Sequence, residues 1–261
     1  MPGQDSRYAL LPVYLVLDTS YSMQEEGKFD AALSFLPKLL SSMTESSSLS
    51  DKIRVELITF DDEARVELSL SGLNEIEEWI VRNKKNPIVP DGQATCYGKA
   101  FNKLKSEIQT GVRQIQSETI GNDSYKAYRP VVFFITDGAP NDDLSERNKA
   151  FEKLTDQNFE YRPNLICVGV GDAQHGDLIQ YGAGRYNSPT GSYITGNDKL
   201  VIVPRDGALP SQALAAIVPA LVASIVQSFG NTANIGDSGG VLDLFGPQDD
   251  LFEDIDWGDD E

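Results

Sequence analysis

The chain has 261 residues, 40% of them hydrophobic, enough to bury a full core in one large domain or in one domain with a tail. Its formal net charge of −18 excludes nucleic acid as an expected partner, because phosphate binding needs clustered Lys and Arg, and argues against adhesion to an anionic membrane. No run of about 18 apolar residues reads as a membrane span, and the opening Met-Pro-Gly-Gln-Asp-Ser-Arg lacks the basic and apolar regions of a signal peptide. Cys96 and Cys167 fall in no metal-binding spacing and form no disulfide framework, so the expected location is cytoplasmic.

Residues 1–7 read as an N-terminal extension. Tyr8 to Asp18 reads as a strand apolar on both faces, the pattern of a covered central strand. It ends abruptly in Asp18-Thr19-Ser20-Tyr21-Ser22. From Lys28 to about Met43, apolar residues at intervals of three and four predict an amphipathic helix, which Pro37 should kink. Ile53 to Phe60 and Ala64 to Leu70 are alternating runs around the turn Asp61-Asp62-Glu63, so a hairpin with an antiparallel edge strand is expected. Leu73 to Val81 should be a short helix, with Asn74 as a possible cap. A Pro- and Gly-containing loop leads to Thr95. A helix follows from Cys96 to about Gln116, with Ala100, Leu104, Ile108, Val112 and Ile115 on one face.

Pro130 to Thr136 is a second apolar strand that ends in an acid, Asp137, followed by Gly138. Leu144 to Gln157 reads as helix and Leu165 to Val170 as a third buried strand. His175 to Asn197 begins as a short helix and becomes loop. Lys199 to Val203 closes the sheet, and Pro210 to Phe229 is a long apolar helix containing Pro219. Strands alternating with helices predict an α/β fold: a doubly wound, mostly parallel central sheet with one antiparallel edge strand and helices on both faces. Residues 8–229 form the predicted domain.

The remaining residues, 230–261, change character. Residues 237–261 carry ten acids and no Lys or Arg, which predicts a disordered acidic tail. Leu244, Phe245, Leu251, Phe252 and Trp257 punctuate it. Bare solvation would not need Phe and Trp, which suits a docking peptide, while a solubilising tail and a tethered acidic ligand for the domain's own site stay open beside it.

In a doubly wound sheet, ligands bind beyond the carboxyl ends of the strands. Asp18 and Asp137 should therefore meet there. Asp18, Ser20 and Ser22 either cap the following helix or supply hard oxygen donors to Mg²⁺, Mn²⁺ or Ca²⁺. Asp61 and Asp62 read as turn residues, and Asp142 and Asp143 as residues that cap or precede a helix near the same face. His175, the only histidine, reads as a loop residue with no nucleophile beside it.

The Asp18-Thr19-Ser20-Tyr21-Ser22 motif, Thr95, and Asp137-Gly138 after an apolar strand resemble the von Willebrand factor A domain and its metal-ion-dependent adhesion site. The flanking segments also resemble its bacterial TerY-like, tellurite-resistance branch, in which the domain is thought to work with a kinase and a phosphatase. The resemblance implies a metal held by Ser20 and Ser22 directly, by Thr95 directly or through water, and by Asp18 and Asp137 mainly through water. An acidic residue of a protein partner would complete the coordination, with Tyr21 and Asp142 on the ligand rim. Tyr21 stands where many bacterial members have Gly, and Gly92-Gln93-Ala94-Thr95 is one residue longer than the common pattern. The expected function is metal-dependent protein–protein interaction in an intracellular bacterial assembly, without catalytic residues. The alternatives are a metal-dependent phosphoesterase and a secreted adhesin. The absence of Arg or Lys near the motifs argues against phosphoryl chemistry.

Overall fold

The computed structural model describes residues 9–45, 51–120, 123–171, 173–184, 192–203, 209, 211–215 and 219. The N-terminal extension, most of the expected final helix and the whole acidic tail with its docking motif lie outside these residues. Of the final helix, 211–215 and 219 are described and are helical.

Strand β1 (Ala9–Asp18) is the centre of the sheet, and all ten of its residues are buried. It pairs in parallel with β2 (Ile53–Phe60) on one side and with β7 (Val131–Thr136) on the other. Beyond β2, β3 (Ala64–Ser71) is the predicted antiparallel edge. Beyond β7 lies β8 (Asn164–Gly169), in parallel. The chain thus travels one way from β1 and returns on its other side, which makes the gap between β1 and β7 the topological switch point. Asp18 and Asp137 flank that gap. Of the short strands, β6 (Lys126–Ala127) pairs with β1, whereas β4 (Thr119–Ile120) and β5 (Asp123–Ser124) form a ribbon separate from the main sheet.

Alternation along β1 divides the core in two. Val13, Leu15 and Leu17 face α1 (Lys28–Leu33), α2 (Phe35–Glu45) and α3 (Leu73–Lys85) through Phe29, Phe35, Leu39, Ile76 and Trp79. Leu10, Tyr14 and Val16 face α4 (Tyr97–Ser117) and α5 (Leu144–Thr155) through Tyr97, Phe101, Leu104, Phe151 and Leu154. The five residues predicted on one face of α4 are all fully buried.

Four local expectations need correction. The helix expected from Lys28 to Met43 is two helices broken at Ser34. Pro37 has no N–H to offer the Leu33 carbonyl and its ring crowds that group, so the helix restarts instead of bending. Ahead of α1, Tyr21–Gly27 is a 3-10 segment ended by left-handed Glu26 and Gly27, at φ 54° and 68°. Helix α3 runs to Lys85 and its cap is Gly72, which leaves Asn74 inside the first turn. Arg82, Lys84 and Lys85 in the last turn suit the negative end of the helix dipole.

The fourth correction falls between His175 and Asn197. After α6 (His175–Leu178), β9 (Ala183–Gly184) and β10 (Ile194–Thr195) add a second antiparallel edge, and β11 (Val201–Ile202), shorter than expected, pairs with β8. Two-residue strands carry no readable periodicity. No described helix is long and apolar enough to cross a membrane.

Candidate metal centre

The loop after β1 folds back on its own carboxylate. The Ser20 amide donates to Asp18 Oδ1 at 2.8 Å, and the Thr136 hydroxyl at the end of β7 donates to Asp18 Oδ2 at 2.6 Å. Asp18 and Thr136 are fully buried. From this anchor a chain of oxygens runs outward. Ser20 Oγ lies 3.2 Å from Ser22 Oγ, and Ser22 Oγ donates to Asp137 Oδ1 at 2.8 Å. Four of the five predicted metal residues are thus joined by one hydrogen-bonded path across the switch point. Such an all-oxygen set suits a hard divalent cation.

Thr95 is placed by its backbone. Its amide donates to Asn141 Oδ1 at 2.9 Å and its carbonyl accepts from the Asn141 amide at 3.2 Å, which ties it to the loop after β7. Three residues earlier, Gly92 forms a parallel bridge with Ser20. Its amide donates to the Thr19 carbonyl at 3.0 Å, and its carbonyl accepts from the Tyr21 amide at 2.9 Å.

Asp61 supports both loops. It accepts from Thr19 Oγ1 at 3.0 Å and from Arg65 at 2.7 Å, while its carbonyl accepts from the Cys96 amide at 3.0 Å. Burial pushes the Asp61 carboxyl up, but the hydrogen bonds from Arg65, the Glu63 amide and Thr19, with the charge of Arg65, together outweigh it and hold the carboxyl below its ordinary range. Asp62 accepts from the Gln93 amide at 2.9 Å. Both acids, expected to be turn residues only, therefore also brace the metal-facing loops.

A Cβ at Gly92 would stand 2.2 Å from Asp61 Cβ, so no side chain fits there without moving the loop that bridges to Ser20. Gly92→Ala is expected to lower the thermal midpoint and to weaken cation binding at least about tenfold, because the strained contact is part of the scaffold that aligns Ser20. Calorimetric titration alongside thermal melting checks whether the two effects appear together.

Burial pushes the Asp18 carboxyl up to about 6, with neighbouring Asp137 adding to the rise and the Thr136 and Ser20 hydrogen bonds opposing it. A cation must displace that proton. Its affinity is therefore expected to be constant above about pH 7 and to fall as pH drops through 6. Affinity that is flat between pH 5 and 8 would show that Asp18 is not engaged.

Two site expectations change. Asp142 is not on the rim, because its two oxygens are engaged: one accepts from the Gly98 amide at 2.7 Å and the other from Arg147 at 2.8 Å. It caps the amino end of α4 from across the loop, while Asp143 caps α5 through the Glu146 amide. The expected absence of a nearby cation also fails. Lys28 Nζ donates to Asp137 Oδ2 at 2.8 Å and to the Ser22 carbonyl at 3.2 Å. Its position one turn from buried Ala32 was the available signal, but a lysine opening a helix reads as a solvated residue.

Thr136, Asn141 and Tyr97 were also missed. Tyr97 donates to the Gly138 carbonyl at 2.8 Å and so fixes the turn after Asp137. Tyr21 is 61% exposed. His175 opens α6, and Cys167 is fully buried. Among the described residues no group of three His, Cys, Asp or Glu side chains comes together.

Fold and site together define a class: a doubly wound α/β domain with two acids and several hydroxyls gathered at its switch point. The von Willebrand factor type A domain model matches residues 13–188, and the chain belongs to that family. Solved structures with the same fold include a von Willebrand factor type A protein from Catenulispora acidiphila, at 16% identity and a TM-score of 0.55, over 83% of this chain and 42% of that one. They also include proximal thread matrix protein 1 from the mussel byssus with a zinc-occupied MIDAS motif, at 14% identity and a TM-score of 0.54, over 82% of this chain and 48% of that one. A third is the pilus adhesin SpaC from Lactobacillus rhamnosus GG, at 13% identity and a TM-score of 0.55, over 87% of this chain and 32% of that one. The chain thus spans less than half the length of these neighbours. A search of curated proteins finds no match. Domains of this family are commonly metal-dependent adhesion or interaction modules.

Proposed function

We propose that the domain binds a protein partner through a divalent cation held by Asp18, Ser20, Ser22, Thr95 and Asp137, with an acidic residue of the partner completing the coordination. The observation that carries this reading is the hydrogen-bonded path from buried Asp18 through the Ser20 amide, and on from Ser20 Oγ through exposed Ser22 Oγ to buried Asp137. The bound ion would supply a positive centre for an anionic group. Mg²⁺ is the cation we assign, with Mn²⁺ and Ca²⁺ as close substitutes, because the donors are hard oxygens. The zinc in the mussel protein's MIDAS motif makes Zn²⁺ a necessary comparison. Exposed Tyr21 gives the rim an aromatic contact that a partner can cover.

We further assign the domain to an intracellular bacterial complex of the TerY-like kind, linked to a kinase or phosphatase. Two free cysteines, Cys167 in the core and Cys96 beside Thr95, support a reducing compartment. The apolar residues Leu244, Phe245, Leu251, Phe252 and Trp257 would give the tail a second contact with the same assembly. Phosphoester hydrolysis is the competing function. Lys28 removes one argument against it, but the ammonium is already paired with Asp137, and hydrolysis further requires a positioned base or a second metal.

Affinity capture with and without EDTA tests the reading, using wild type, Asp18→Ala and a chain ending at Gly230. The expected partner is retained with Mg²⁺, released by EDTA and not captured by Asp18→Ala. Turnover of a generic phosphoester by wild type that is lost in Asp18→Ala would replace this function with an enzymatic one.

A further inference from the structure

The Lys28–Asp137 pair occupies the ground where a cation would act. The two side chains are 6% and 1% exposed, so the pair is held out of water. Its setting is built for it. Gly171, at φ +60°, lies directly against the lysine, and a Cβ there would stand 3.1 Å from Nζ and 3.2 Å from Cε. The ammonium also donates to the Ser22 carbonyl, so it is fixed to both halves of the site, the loop after β1 and the acid after β7. Nothing in the protein–protein reading requires such a residue. A lysine here places one positive charge against a site that offers two carboxylates to an ion of charge two.

We propose that Lys28 is an internal competitor for Asp137 that sets the divalent affinity of the site. This rests on the cation-binding function proposed above. With Lys28 present, an arriving ion must displace the ammonium from Asp137 or share the carboxylate with it, and like charges this close repel strongly away from water. The ion is held more weakly than two carboxylates alone would hold it. Once bound, it sits in a surround one charge more positive, which favours an acidic partner over further water. A site tuned in this way exchanges its ion readily and is completed by the partner's carboxylate.

The test is calorimetric titration of Mn²⁺ into wild type, Lys28→Met and Lys28→Arg. Lys28→Met is expected to bind Mn²⁺ at least tenfold more tightly than wild type, and Lys28→Arg, which keeps the charge, within about threefold of it. Equal or weaker binding by Lys28→Met overturns the inference and leaves the cation-binding function standing. Binding by Lys28→Met alone supports the inference and refutes the function for the natural chain. No binding by any of the three refutes both. Because Lys28→Met leaves Asp137 without its counter-charge, melting with and without saturating Mn²⁺ accompanies the titration. Mn²⁺ should raise the midpoint of Lys28→Met more than that of wild type, and an equal or smaller rise counts against the inference.

Discussion

Asp137→Asn is expected to destabilise the cation-free protein by about 3–5 kcal/mol, whereas Asp18→Asn is expected to stabilise it. The two acids sit across one switch point but carry opposite balances. Asp137 is the counter-charge of Lys28, an ammonium with a 6% exposed side chain, and removing it strands a buried cation. Among the described residues no lysine or arginine pairs with Asp18. Its partners are the Thr136 hydroxyl and the Ser20 amide, and burial outweighs them, raising its carboxyl from 3.8 to about 6. Between those values the folded state holds a proton that the unfolded state has released, so wild type loses stability as pH rises from 3.8 to 6 and regains none above it. Asn carries no such proton. The gain in Asp18→Asn is therefore absent below pH 3.8 and complete above about 6, on the order of 2–3 kcal/mol. Urea denaturation in EDTA at pH 4 and pH 8 reads both effects. Both variants should nonetheless lose cation affinity by at least about a hundredfold, since even outer partners of a metal site are commonly worth ten- to a hundredfold.

Glu56→Gln is expected to stabilise the protein by roughly 4–5 kcal/mol at pH 9 and by little at pH 4. Glu56 lies on β2 facing α4. It is 2% exposed, and its Oε1 has no hydrogen-bond partner among the described residues. Burial raises its carboxyl from 4.5 to about 8, helped by the nearby Glu107 and opposed by Lys103 and the Leu70 backbone. The folded state keeps this proton through neutral pH, so stability falls as pH climbs from 4.5 to 8 and is level beyond. The buried tyrosine next to it, Tyr14, is pushed well above its ordinary range by burial and by the same two glutamates, so Tyr14 stays neutral throughout this window. The difference in stability between Glu56→Gln and wild type, plotted against pH, reads this residue together with its coupling to Glu107 and Lys103. A flat difference would place the Glu56 carboxyl in its ordinary range.

The sheet was readable because its central strands are apolar on both faces. Tyr8 to Asp18 and Pro130 to Thr136 could only be covered strands, and covered strands separated by helices place their ends on one edge. That logic brought Asp18 and Asp137 together without any contact being known. It could not see what lies behind them. Lys28, Thr136 and Asn141 are polar residues at the ends of elements, where hydrophobic periodicity says nothing about direction. Asp142 illustrates the converse. Two acids before a helix read as caps for that helix, yet Asp142 turns back to cap α4, forty-odd residues earlier, because Gly98 brings that helix close enough: a Cβ there would stand 3.2 Å from Arg147 Cα. Pro37 was correctly seen as a disturbance, but whether a proline bends a helix or divides it depends on packing. Here Phe35 and Leu36 bury themselves on the core by restarting the helix.

The central claim is that the hydrogen-bonded group Asp18, Ser20, Ser22 and Asp137 is a cation site. Calorimetric titration of Mn²⁺ into wild type, Asp18→Ala and Asp142→Ala tests it most directly. One ion should bind per wild-type chain. Binding should disappear in Asp18→Ala and stay within about twofold in Asp142→Ala, whose carboxyl is committed to Gly98 and Arg147. Wild-type protein that takes up no Mn²⁺, or Asp18→Ala that binds it as well as wild type, would contradict the account.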